Sequence, residues 1–99
     1  MEQIENKAEL NHTYIIEGVG CDAPYISIGY VKDYAEGEIV WTRDLRQAMR
    51  TQNKELMHNV AIRMREYHKE GKVDVSAWFF EIDNENKVAK HRTFEKDLL

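Results

Sequence analysis

The sequence predicts an α+β fold: a roughly five-stranded antiparallel sheet with one main helix, preceded by a short helical turn, packed on one face. The expected order along the chain is β-β-β-α-α-β-β. Three observations carry this. Three short runs rich in β-branched and aromatic residues follow one another before Arg43. One long stretch, residues 44–70, repeats its apolar residues at intervals of three and four. Two further strand-like runs come after Gly71.

Residues 1–11 are polar, of mixed charge and without a period, with Glu2, Glu5 and Glu9 among them, and read as a flexible leader. In residues 12–17 the run Thr13-Tyr14-Ile15-Ile16 makes the first strand. It stops at Gly18-Val19-Gly20, where two glycines permit a turn. Residues 25–32 alternate, with Ile26, Ile28, Tyr30 and Lys32 on the apolar face and Tyr25, Ser27, Gly29 and Val31 on the other. Residues 33–37 read as a turn in which Gly37 is free to take positive φ, and residues 38–42 as a short strand carrying Ile39, Val40 and Trp41.

Thr42 and Asp44 are credible N-cap residues for the helical region. Leu45, Ala48, Met49, Leu56, Met57, Val60, Ala61, Met64 and Tyr67 then mark one buried helical face. Thr51-Gln52-Asn53 are poor helix-interior residues and good caps, which divides the region into a short helical turn over 44–50 and a main helix over 53–70. Gly71 suits the position just past the helix end, where His68, Lys69 and Lys72 complement the negative pole of the dipole. Residues 73–82 form the strongest strand, because Val75, Ala77 and Phe79 on one face and Trp78, Phe80 and Ile82 on the other leave neither face polar. Residues 83–86 read as a hairpin loop, 87–94 as a polar edge strand and 95–99 as a tail, so that 12–94 make a single domain. With the helix on one side only, the row holding Trp78 and Phe80 is either a protein interface, as in a homodimer, or is covered by the leader or the tail.

Charge is unevenly placed. Residues 43–72 hold eight Lys or Arg against four acids, a local +4, while the whole chain carries −4 and the rest therefore −8. At about 100° per residue on a continuous helix, Arg43, Arg46, Arg50 and Lys54 fall near one line, with Arg65 close by. This ridge suits nucleic-acid phosphates or an acidic protein surface; read plainly, it is a solvated helix face partly neutralised by neighbouring glutamates.

Other constellations are weak. Cys21 is the one cysteine, which excludes an internal disulfide and suits a reducing, cytoplasmic compartment; its neighbour Asp22 disfavours a reactive thiolate. His58 and His68 lie ten residues apart and miss the i, i+4 spacing of a helical metal pair, and His12 and His91 add no motif. Gly18-Val19-Gly20 leads into a strand and lacks the third glycine and the lysine of a phosphate loop. Ser27 and Ser76 sit inside strands without a nucleophile elbow. No apolar run approaches the ~18 residues of a membrane span, and the polar first residues lack a signal peptide's apolar core. The expectation is a protein with no catalytic, cofactor or metal site, and not an enzyme.

Thr13-Tyr14-Ile15-Ile16-Glu17, the run Ile39-Val40-Trp41-Thr42-Arg43-Asp44-Leu45-Arg46-Gln47-Ala48 and the Ala- and Met-bearing helix after it resemble, in pattern and size, small phage-encoded proteins of Gram-positive hosts. Some of these are stoichiometric inhibitors of host machinery, including anti-CRISPR and other anti-defence proteins. The resemblance implies a binder of a host protein, a nuclease, a nucleoprotein complex or a replication factor, acting in the host cytoplasm by occluding its target's working surface. It transfers no functional residue. The contacts expected from the residues themselves are Arg43, Arg46, Arg50, Lys54, Trp78 and Phe80. The alternative function is a nucleic-acid-binding accessory protein that sets the same basic ridge on phosphates.

Overall fold

The computed structural model describes residues 9–70, 74–82 and 88–93. It is an α+β fold with strands β1 (Glu9–Gly20), β2 (Ser27–Ala35) and β3 (Glu38–Thr42), a 3-10 turn at Leu45–Gln47, a three-residue strand β4 (Thr51–Asn53), helix α1 (Lys54–Lys69), and strands β5 (Val75–Ile82) and β6 (Val88–Thr93). Across the antiparallel sheet the strands run β3-β2-β1-β5-β6. Residues 1–8 of the leader expected over 1–11, the helix cap at Gly71, the hairpin loop at 83–86 and the tail lie outside the described residues; residues 9–11 belong to β1.

β1 is the central strand, and both its faces are buried: Ile15 and Ile16, which point to opposite sides, are each 0% exposed. It begins three residues earlier than expected, at Glu9, and runs through Gly18 to Gly20. Gly18 does not serve a turn. A Cβ there would lie 2.6 Å from Cη2 and Cζ3 of Trp41, so the missing side chain is what lets the indole of β3 lie over β1 near its C-terminal end. The turn glycine is Gly37, which with Glu36 takes positive φ (77° and 56°) and closes the β2–β3 hairpin between Ala35 and Glu38.

The alternation expected for β2 is broken. Gly18 pairs with Gly29 but Val19 pairs with Ser27, a bulge at which Gly29 adopts φ 129°. Ile28 and Val31 thereby pack on the helix side while Tyr30 packs on the other; Val31 is fully buried and Ile26, expected to point inward, is exposed.

α1 covers the first face of the sheet. Met57, Val60, Ala61, Met64 and Tyr67 meet Tyr14, Ile16, Val31, Ile39, Val75 and Phe79, the stripe that the 3.6-residue period predicts. Asn53 caps the helix by accepting from the Leu56 amide at 3.0 Å, so α1 starts within a residue of its expected place. Arg63 fastens α1 to the sheet edge: it reaches Glu38 of β3 at 2.6 Å and Glu70 at 2.7 Å, and its guanidinium lies 4.5 Å above the Tyr67 ring. The Tyr67 hydroxyl donates to the Glu38 carboxylate and accepts from the Ile39 amide.

Thr51-Gln52-Asn53 is the main departure from expectation. These residues form β4: Thr51 pairs with Tyr14 and Asn53 with Glu9, on the side of β1 that β2 has vacated. β4 therefore lies in the sheet, and the chain changes faces there. Before it, Leu45 and Ala48 pack on the second face against Ile15, Tyr30, Phe80 and Ile82; after it, α1 lies on the first. Among the described residues, the cover over Phe80 is thus the segment of the 3-10 turn. Asp44 caps that turn, accepting from the Arg46 amide at 2.9 Å.

Candidate functional site

The basic residues do not form a ridge. Arg43, Arg46 and Arg50 belong to the segment that crosses the second face, whereas Lys54 is the first residue of α1 on the other side of β4. The continuous helix that aligned them does not exist, because β4 interrupts it. Each of the four has its own surroundings. Arg43 is exposed. Arg46 is also exposed and forms an ion pair with Asp44 at 3.2 Å; the hydrogen bonds from its side chain and backbone amide hold the Asp44 carboxyl below the usual aspartate range. Arg50 donates to the carbonyls of Leu45, Arg46 and Ala48, the ends of the 3-10 turn, and so acts as an internal cap. Lys54 is half-buried.

The aromatic residues do come together. On the second face Phe80 packs into the core under Leu45 and Ala48. Trp78 lies beside it, with ring centroids 6.4 Å apart at 50°, and Tyr25 lies beside Trp78, again at 6.4 Å and at 44°. The three rings make a ladder that rises from the core to the surface. Its upper end is the loop after β1, where Tyr25 is 55% exposed and its neighbour Ile26 is 67% exposed.

That loop is held in an uncommon conformation. The Tyr25 amide donates to the Asp22 carbonyl at 2.8 Å and Tyr25 adopts φ 54°, a left-handed conformation that costs a bulky side chain on the order of 1–2 kcal/mol. The sequence contained one sign of this, Asp22-Ala23-Pro24 before an aromatic, but a strand beginning at Tyr25 places the ring elsewhere; β2 begins two residues later. Tyr25 and Ile26 are the surface residues that sequence reasoning missed. The segment carrying Arg43 and Arg46 lies on the same face as Trp78 and Phe80.

On the opposite face, at the same end of the sheet, a cleft of about 350 Å³ opens between the last turns of α1 and the start of β5. Ala61, Val75 and Ala77 form its apolar floor, and Cys21, Arg65, Lys69, Asp74 and Ser76 surround it. The thiol is pushed up from its ordinary value, chiefly by its hydrogen bond to the Asp74 carboxylate and then by burial. Asp22, the neighbour expected to have this effect, contributes least.

His12 pairs with Glu81 at 2.7 Å, and among the described residues no three His, Cys, Asp or Glu side chains converge on a point where a metal ion fits. No helix among them is long and apolar enough to cross a membrane. The chain matches no protein-family model, no curated protein and no solved structure.

Proposed function

We propose that the chain is a small non-enzymatic protein-binding protein whose contact surface is the ladder Tyr25, Trp78 and Phe80, extended by Ile26 and flanked by Arg43 and Arg46. The observation that carries this reading is Tyr25: its backbone is held in the left-handed region while its ring, more than half exposed, is steadied against Trp78. A rigid aromatic of this kind loses little freedom on docking. Tyr, Trp and Arg are the residues that dominate the energetics of protein interfaces. Backbone strain next to an exposed apolar pair is also where binding function concentrates. Phosphate binding by a basic helix face has less support, since the row of cations is dispersed, Arg46 is ion-paired and Arg50 caps carbonyls.

The partner class to test first is a host defence nuclease or a replication factor, bound stoichiometrically, as the resemblance in pattern and size implies. The test is affinity purification of the tagged chain from a Gram-positive lysate, with and without nuclease, in parallel with Tyr25→Ala and Ile26→Asp. A stoichiometric protein partner that survives nuclease is expected. Each substitution should weaken it by about 2 kcal/mol, roughly thirtyfold in Kd. Recovery of nucleic acid alone, or of the same partner in equal amount by wild type and both variants, would refute the assignment.

A further inference from the structure

We propose that the row Tyr30-Glu17-Trp78 on the second face of the sheet, with Tyr25 beside it, is a site for a guanidinium group, which the partner presents as an arginine side chain. The inference names the chemistry that the aromatic ladder recognises and so rests on the reading above.

Strand pairing makes the row. Glu17 of β1 pairs with Tyr30 of β2 on one side and with Trp78 of β5 on the other. Directly paired residues of an antiparallel sheet share a face and hold their Cβ atoms about 4.5–5.5 Å apart. The face is the second one, since Tyr30 packs on the cluster of Ile15 and Ile82 and Trp78 lies against Phe80. A carboxylate therefore stands between two aromatic side chains. Glu17 and Tyr30 are both half-buried. Their nearness shows in the Tyr30 phenol, which is pushed up by burial first and then by the Glu17 carboxylate. Next to Trp78 stands the Tyr25 ring, centroid 6.4 Å away and tilted by 44°, which adds a third aromatic surface.

A half-buried carboxylate is costly to leave unpaired, yet among the described residues Glu17 has no ion pair and no hydrogen bond. The cations of the adjoining segments are committed elsewhere or stand apart. Arg46 is paired with Asp44, and Arg50 holds the carbonyls of the 3-10 turn. Lys32 and Arg43 are exposed and form no ion pair with Glu17. Arg43 follows Thr42, which pairs with Tyr30 on its far side, so its backbone lies two strands from Glu17. That is roughly 10 Å, about one Debye length at ordinary salt, and its repulsion of an incoming cation is largely screened.

The rings and the carboxylate attract the same kind of group. Aromatic faces draw a cation through their quadrupole, and the carboxylate draws it by charge. The guanidinium suits this pairing better than an ammonium: it is flat enough to lie on a ring, offers two parallel hydrogen bonds to a carboxylate, and is more weakly hydrated. An anion meets the Glu17 charge, and an apolar group leaves it unpaired.

The test uses the full chain, ¹⁵N-labelled, and no partner. It is titrated with N-acetyl-arginine amide and, in a separate sample, with N-acetyl-citrulline amide, which has nearly the same shape and no charge. Arginine amide is expected to move the backbone amides of Glu17, Tyr30 and Trp78 and the Trp78 indole N–H saturably at millimolar concentration, while citrulline amide leaves them in place. Glu17→Gln, which keeps the shape of the side chain, should weaken the arginine response about fivefold or more, between the worth of an exposed ion pair and that of a charged hydrogen bond. Glu55→Gln, in the first turn of α1 on the other side of the sheet, should not. No saturable shift, an equal response to citrulline amide, or equal binding by wild type and Glu17→Gln would each overturn the proposal. The citrulline comparison is made on the wild-type chain and holds whatever the stability of the variant. Shifts by arginine amide together with partner capture that Tyr25→Ala and Ile26→Asp leave unchanged would refute the ladder as the contact surface and keep the guanidinium site. Absent shifts together with weakened capture would do the reverse.

Discussion

Gly18→Ala adds one methyl group at the place where two strands and an indole meet. The new Cβ would stand 2.6 Å from two ring carbons of Trp41 and 3.1 Å from Cγ1 of Ile28, whereas ordinary contact begins at 3.4 Å, so the indole edge must retreat by 0.8 Å. Trp41 has little room for this, since it packs against the buried cluster under α1. Overfilling a packed core in this way costs about 1–3 kcal/mol. Replacing glycine by alanine in an unstrained backbone returns about 0.4–1 kcal/mol through the unfolded chain. The net expectation is a loss of roughly 1–2 kcal/mol, which for a domain of this size lowers Tm by about 5–15 °C. Thermal and urea unfolding followed by circular dichroism would measure it. The decisive comparison is the same substitution in a Trp41→Ala background, where the obstruction is gone and Gly18→Ala should be neutral or stabilising. A Gly18→Ala protein as stable as wild type, or one that loses the same amount in both backgrounds, refutes the account of Gly18 as the seat of Trp41.

Phe79→Ala, which empties a fully buried site beneath α1, is expected to cost about 3–5 kcal/mol, while Val40→Ala on the exposed side of β3 stays within about 0.5 kcal/mol; urea midpoints compare them. Arg63→Met leaves Glu38, Glu66 and Glu70 without their common cation and should lower the urea midpoint, whereas Lys32→Met at an exposed strand position should not; equal midpoints would remove Arg63 as the fastening of α1. The Asp44 carboxyl is depressed in the folded state, so its contribution is present above the ordinary aspartate range and is lost as pH falls through the lower folded value. The stability gap between wild type and Asp44→Ala should therefore be open at pH 7 and closed in strong acid, and a gap independent of pH contradicts the cap. Cys21 is exposed yet its thiol is raised, so at neutral pH it should react with an aromatic disulfide reagent more slowly than free cysteine does. Asp74→Asn should accelerate that reaction, and no change on substitution removes Asp74 as the cause.

What the chain reveals before folding divides along the line between local and distant information. The helix was legible to within a residue at each end, because the Asn53 cap and the apolar stripe from Met57 to Tyr67 are written within a few turns of one another. The aromatic strand was legible as two-sided because Trp78, Phe79 and Phe80 are adjacent. Thr51-Gln52-Asn53 read as a helix break, since nothing within ten residues announces that Thr51 will pair with Tyr14. That single pairing dissolves the basic ridge, by placing the residues before and after it on opposite faces of the sheet. The role of Gly18 was hidden for the same reason: a glycine that admits a tryptophan from another strand looks, in the sequence, like one that makes a turn. Arg63 lay in between, for Glu66 and Glu70 follow it at helical spacing while Glu38 is reached only through the fold. The candidate surface followed the same division. Trp78 and Phe80 were found from their own strand, whereas Tyr25 joins them through a left-handed backbone that no residue type there demands.

The passage of the chain through the sheet at β4 has a mechanical consequence. The segment between β3 and β4 is a strap, buckled at both ends into the sheet by strand pairs and drawn tight by the Arg50 bonds to its own carbonyls. It has no core of its own: Leu45 and Ala48 lie on the cluster of Ile15, Phe80 and Ile82, and Met49 reaches the cluster under α1. Were the strap to lift, the strip of Ile15, Phe80 and Ile82 would open beside Trp78 and enlarge the apolar surface that the folded state displays.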